Sequence, residues 1–178
     1  MRYVAFLRAI NLGKVNRVPM GDLRAALGEA GFADVRTHLQ SGNVVLDTAK
    51  RSPSAIERTI EALLRDEFGV STGVMVRTGA ALEKVAKSNP LVKGRVDPRT
   101  LHVAFLKKAP TAAAKRAAAR QTFGDDEFVI RGSEVYLRYP HGVAGSTMNS
   151  AVFQRALGTP ATVRTWNVVT RLVELVRP

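Results

Sequence analysis

Apolar residues along the chain fall into short runs and helical stripes that follow one another in a fixed order. Residues 3–7 (YVAFL) are apolar at every position, which predicts a strand buried on both faces. Met20, Leu23, Leu27 and Ala30 recur at helical spacing, with Pro19 as the first helical residue and Gly31 as the stop. Val35 to Leu39, the turn Gln40-Ser41-Gly42-Asn43, and Val44 to Leu46 read as a hairpin, with Gly42 and Asn43 taking positive φ. Ser52-Pro53 opens a second helix whose apolar face is Ile56, Ile60, Leu63, Leu64 and Phe68, closed by Gly69. "GVMVRT" (73–78) is a further strand, and a short helix follows from about Ala80. The order β-α-β-β-α-β is the split βαβ arrangement of ferredoxin-like folds.

After "SNPLVKGRVDPR" (88–99) the order starts again. "LHVAFLK" repeats "RYVAFLR", "TAAAKRAAARQ" is a helix, "EFVIRGSEVYLRY" a hairpin, and Met148 to Leu157 a helix ending at Gly158. "ATVRT" then leads into a last helix through Val176, much as "VMVRT" leads into the helix from Ala80. Three similar words in one order mark an internal duplication. The expected fold is therefore α+β: two ferredoxin-like βαββαβ subdomains, residues 1–88 and 89–178, with antiparallel or mixed sheets. Val4 maps onto Val103, Val44 onto Val135 and Val76 onto Val163, so the offset falls from 99 to 91 to 87. Most of the first loss falls between strand one and helix one. "RAINLGKVNRVPM" (8–20) is thus an addition that the first copy carries and the fold does not require.

Charge changes this picture modestly. Lys and Arg number 27 against 15 Asp and Glu, a net +12, which favours polyanionic partners. Arg exceeds Lys 19 to 8, and the bases run along the whole chain without forming a tail, so composition bias competes with that reading. With no cysteine, disulfides, thiolate metal sites and cysteine nucleophiles are excluded. No window is apolar for long enough to span a membrane, and "MRYVAFLRAI" meets Arg8 too early for a secretory signal. The expectation is a cytoplasmic protein with no membrane partner.

Candidate chemistry centres on the inserted loop. Arg8, Lys14 and Arg17, with backbone N–H groups near Gly13 and at the entry of the next helix, suit a phosphate or carboxylate. A solvated connection whose asparagines satisfy their own backbone is the competing account. "QSGN" (40–43) is most simply a turn, although Ser41 and Asn43 would offer neutral hydrogen bonds to a ligand held by a nearby loop. In "YPHGVAGSTMNS" (139–150), Ser146 reads as a helix N-cap and His141 has no carboxylate close in sequence. His38 and His102 lie in strands, as packing or surface residues. "RTWN" (164–167) holds the one tryptophan, Trp166, flanked by Arg164 and Asn167; core packing competes there with anion contact. "GDDEF" (124–128) has no further ligand at metal spacing, so no metal is assigned, and no cofactor motif follows the first strand.

These words together resemble a bacterial family of unknown function numbered 1697. Its N-terminal signature runs roughly Leu-Arg-Gly-Ile-Asn-Val-Gly-Gly, then Val-Pro-Met, then Gln-Ser-Gly-Asn-Val; its C-terminal close is similar to "ATVRTWNVVTRLVEL". The resemblance covers essentially the whole chain and implies a duplicated α+β fold, with no activity, cofactor or partner attached. By position it carries over Arg8, Ile10, Asn11 and Gly13; Ser41, Gly42 and Asn43; and Arg164, Trp166 and Asn167. The chain departs at Ala9 and Lys14, where the family usually has glycine, at Thr165 and Val168, where it has asparagine and threonine, and at Thr147, where lysine is common.

The expected site is therefore Arg8, Asn11, Gly13, Lys14, Arg17, Ser41, Gly42, Asn43, Arg164, Trp166 and Asn167. The expected function is binding of a phosphate-bearing or other anionic ligand, nucleic acid included. The alternatives are an enzyme acting on a small phosphorylated or carboxylated metabolite, for which no catalytic residue is assigned, and a protein-interaction scaffold.

Overall fold

A computed structural model describes residues 1–50 and 52–177; Arg51 and Pro178, the end of the second expected subdomain, lie outside the described residues. The chain divides into two compact units, residues 1–84 with the C-terminal segment from Leu172, and residues 85–171. In the first unit β1 (Arg2–Leu7), α1 (Met20–Glu29), β2 (Ala33–His38), β3 (Asn43–Asp47), α2 (Pro53–Phe68) and β4 (Val74–Thr78) form a four-stranded sheet of order β2-β3-β1-β4. α3 (Gly79–Lys87) follows, and a 3-10 turn (Pro98–Thr100) leads into the next copy. There β5 (Leu101–Leu106), α4 (Ala112–Ala118), β6 (Glu127–Arg131), β7 (Glu134–Arg138), α5 (Ser150–Leu157) and β8 (Ala161–Thr165) give the order β6-β7-β5-β8, before α6 (Trp166–Val176). Every strand pair is antiparallel.

The duplication extends to the register. Ala5 pairs with Val44 and Val76 in one sheet, and Ala104 pairs with Val135 and Val163 in the other. Those partners are related by the same offsets of 99, 91 and 87 that the sequence gives. β1 ends at Leu7 and α1 begins at Met20, whereas β5 ends at Leu106 and α4 begins at Ala112. The extra length of the first copy therefore lies between its first strand and first helix.

In the first unit Tyr3, Ala5, Leu7, Val44, Leu46 and Val76 pack beneath Leu23 and Leu27 of α1 and Ile56, Ile60 and Leu64 of α2, all fully or almost fully buried. Val4 and Phe6 are buried as well, so β1 is covered on both faces. β4 is an edge strand, and α2 protects it. Glu61 Oε1 accepts from the Val74 N–H at 2.8 Å and Glu57 Oε1 from the Val76 N–H at 2.9 Å, so two carboxylates one helical turn apart occupy alternate outward donors. Ser52 caps α2 by accepting from Ala55 N, and Gly69 at φ +65° closes it.

Several local expectations shift. Pro19 is the residue before α1 and not its first helical residue, and Ala30 is exposed beyond its end. Asn43 is no turn residue of positive φ: it is a fully buried strand residue, and Leu39 takes the left-handed conformation (φ +60°) together with Gly42 (φ +76°). Asn149, not Ser146, caps α5, accepting from Ala151 N and Val152 N: the helix begins only at Ser150, and Ser146 Oγ instead accepts from Met148 N at 3.0 Å while donating to Asp126. His141 does meet a carboxylate, Asp125 Oδ2 at 3.0 Å, supplied by the acidic turn that precedes the neighbouring β6. His102 is buried edge-to-face against Tyr139, and burial lowers its pKa from the ordinary histidine value.

Candidate functional site

The inserted loop is a built structure. Its two ends enter the core through Ile10, Val18 and Met20, all buried. Its middle folds on itself as a miniature hairpin: Leu12 bridges Val15, Asn11 N–H donates to Asn16 O at 2.9 Å, and Asn16 Nδ2 donates to Ala9 O at 2.9 Å. Ala9, Asn11, Gly13 and Asn16 all have φ between 50° and 59°. At the tip Leu12 and Val15 are exposed, with Lys14 beside them.

Asn11 joins this loop to the β2–β3 turn. Its Nδ2 donates to Val18 O at 3.0 Å and to Gln40 O at 2.8 Å, and its Oδ1 accepts from Val18 N at 2.8 Å. Both amide hydrogens and the amide oxygen are thereby spent on backbone. Asn is also among the few side chains that tolerate the left-handed conformation that Asn11 adopts. Gly42 seals the junction from below: Leu7 N–H donates to its carbonyl at 2.8 Å, and its Cα faces Leu7 and Ile10. Asn43 Nδ2 holds the turn shut by donating to His38 O at 2.9 Å and Ser41 Oγ at 3.1 Å.

Between loop and turn lies a cleft of about 420 Å³, lined by Asn11, Gly13, Arg17, Val18, Pro19, Met20 and Gln40. α1 opens onto it without a side-chain cap; its first intrahelical bond runs from Leu23 N to Pro19 O. The N–H groups of the preceding helical residues point out of the helix start, where the dipole is positive. No lining residue is acidic, although Asp22 stands in the first turn. Of the expected site residues, Asn11, Gly13 and Arg17 line the cleft, while Ser41, Gly42 and Asn43 form the turn behind it. Lys14 lies at the tip. Arg8 is not among the lining residues; its backbone is fixed by Gly73 O and by the Thr72 hydroxyl. The N–H groups at the entry of α1 are part of the expected site, and the proline before the helix, which offers no capping oxygen, leaves them open. Gln40, which lines the cleft from the turn, was missed by sequence reasoning.

The glycine that the resemblance leads one to expect at position 9 would suit the backbone there. Ala9 sits at φ +50°, where a Cβ is unfavourable. Ala9→Gly should raise stability by about 0.5–1 kcal/mol, the relief of strain being partly offset by glycine's larger unfolded-state entropy. Thermal melts of the two proteins check this, and a lowered melting temperature would contradict it.

Arg164, Trp166 and Asn167 belong to the second unit. Arg164 is buried in β8, donating to Thr162 Oγ1 at 2.8 Å and Val163 O at 2.9 Å, and burial pulls its guanidinium down to about 10. Trp166 is half-buried at the start of α6, and Asn167 is exposed. The "YPHGVAGSTMNS" loop is pinned by Tyr139, whose buried hydroxyl donates to Met148 O at 2.8 Å and is pushed up to about 12 by burial. A cleft of about 370 Å³ beside it is lined by Asp125, Asp126, His141 and Ser146 among others, and its carboxylates oppose an anion. Among the described residues no cluster of three or more His, Asp or Glu is placed to hold a metal, and no helix is long and apolar enough to cross a membrane.

Fold and register together define a duplicated α+β protein of two ferredoxin-like units, the first elaborated by a loop that encloses a polar cleft. The chain belongs to the family described as Protein of unknown function (DUF1697), whose model matches residues 1–136. It is similar over 99% of its length, and 98% of the other chain, to the conserved bacterial protein SP0830 from Streptococcus pneumoniae, with a TM-score of 0.75 and 16% sequence identity. At that identity the likeness is one of fold. No curated protein matches the chain.

Proposed function

We propose that the first unit binds a phosphate-bearing ligand in the cleft between the inserted loop and the Gln40 turn. The observation that carries this reading is the uncapped start of α1, opening onto an acid-free cleft that Arg17 lines. Outward N–H groups at the positive end of a helix dipole and a guanidinium are the donors a phosphate takes. The lining side chains include no carboxylate, imidazole or nucleophile, which favours binding over catalysis at this cleft.

Titration with inorganic phosphate and with a nucleoside monophosphate, followed by backbone amide NMR, tests the reading. Saturable shifts should centre on Met20, Gly21 and Asp22, and Arg17→Gln should weaken binding about tenfold, the value of one charge-assisted hydrogen bond. Shifts elsewhere, or an affinity unchanged by Arg17→Gln, would remove this cleft as the site.

A further inference from the structure

The division into units locates the charge excess. Residues 85–171 hold fourteen Lys and Arg against five Asp and Glu, an excess of nine, whereas residues 1–84 hold twelve against nine. The concentration is sharpest from 107 to 124, which contains Lys107, Lys108, Lys115, Arg116 and Arg120 and no acid. The duplication supplies an internal control, since the matching helix of the first copy, α1, carries Asp22 and Glu29 with Arg24 and has no base in its last turn. The fold therefore does not demand bases at this place. Lys115 and Arg116 do complement the dipole at the end of α4, but that effect needs neither Arg120 nor the exclusion of acids. Lys115, Arg116 and Arg120 form no ion pair with any described residue, and Arg116 and Arg120 are exposed.

A second feature lies against the same helix. Lys115 and Ala119 line a cleft of about 390 Å³ whose other wall is Phe128, Val129 and Ile130 of the edge strand β6. Apart from the Lys115 ammonium, the lining side chains are apolar. Phe128 is half-buried, its ring held by Phe153 and Phe123 at centroid distances of 5.3 and 5.8 Å. A helix bearing free cations beside an apolar cleft with a fixed aromatic ring is the combination that single-stranded nucleic acids use: phosphates on the bases, an unpaired nucleobase against the ring. Duplexes and lipid headgroups would use the cations and leave the cleft empty.

We propose that the α4–β6 face of the second unit binds single-stranded nucleic acid, with Lys115, Arg116 and Arg120 on the phosphodiester backbone and a nucleobase in the Phe128 cleft. The proposal is independent of the α1 cleft and stands whether or not that cleft takes a phosphate.

The test is fluorescence anisotropy of the full chain with a labelled single-stranded RNA and DNA, the matching duplex, and anionic phospholipid vesicles, over a salt series. Single strands should bind more tightly than the duplex. Joint Lys115→Gln, Arg116→Gln and Arg120→Gln replacement should flatten the log–log salt slope by about two, that is about 0.7 for each phosphate left without its cation. A charge-matched control, Arg24→Gln with Arg58→Gln and Arg65→Gln in the first unit, should leave the slope unchanged. Phe128→Leu should weaken single-strand binding about tenfold at constant charge. Ala119→Glu, at an exposed position clear of the core, should abolish it, which covers the case where Phe128→Leu disturbs folding. The proposal is overturned by no binding, by an equal change of slope in the control, by duplex or vesicle binding that matches the single strand, or by indifference to Ala119→Glu.

Discussion

Gly42→Ala should destabilise the first unit by about 3 kcal/mol. An added Cβ would lie 2.7 Å from Leu7 Cβ and 2.8 and 2.9 Å from Ile10 Cδ1 and Cγ1. Leu7 belongs to the central strand and cannot withdraw, so Ile10 must leave its buried place. Two costs combine: about 1–2 kcal/mol for an L side chain at φ +76°, and about 1–3 kcal/mol for overpacking. Gly13 separates them. It has a similar φ, +59°, but nothing within 4 Å of its Cβ position, so Gly13→Ala should cost only the conformational part, about 1 kcal/mol. Urea unfolding of the two variants measures the difference. If Gly42→Ala proved no worse than Gly13→Ala, the close packing of the turn on β1 would be refuted.

Asn11→Ala should cost about 4 kcal/mol, by a different route. It removes three hydrogen bonds of about 1 kcal/mol each, leaves the N–H of buried Val18 without an acceptor, and places Ala at φ +52°. Asn11→Gly recovers the conformational part alone and should be milder by about 1 kcal/mol. Asn11→Asp keeps the acceptor for Val18 N but turns a carboxylate towards the carbonyls of Val18 and Gln40, so it should do no better than alanine. Because Asn11 ties the two walls of the cleft, phosphate binding should fall even where the variant remains folded. Denaturation and phosphate titration at one temperature check both parts, and full binding by Asn11→Ala would free the cleft from this amide.

The site was only partly legible in advance, for a reason visible in particular residues. The loop stood out because its counterpart in the second copy is short. Asn11 could be singled out, but not its task, since its partner Gln40 is 29 residues away and nothing local brings the turn to the loop. Asn43 looked like a turn residue because Asn-containing turns commonly use positive φ; burial on β3 decided otherwise. The pairing of His141 with Asp125 was invisible for the same reason, since two separate loops must meet to make it. The uneven distribution of charge between the units is written in the chain, but it becomes visible only when their boundaries are known.

Topology, the duplication with its offsets, and the segment that the fold does not require could all be read from the order of residues. They follow from periodicity and repetition, which each stretch of chain carries within itself. Which polar groups in that segment are spent, and which stay available, emerged only from the folded chain. Asn11 and Asn16 are spent on backbone, while Arg17 and the first N–H groups of α1 face a cleft. Hydrogen-bond satisfaction depends on what lies opposite, and what lies opposite here is set by contacts between residues far apart in the chain.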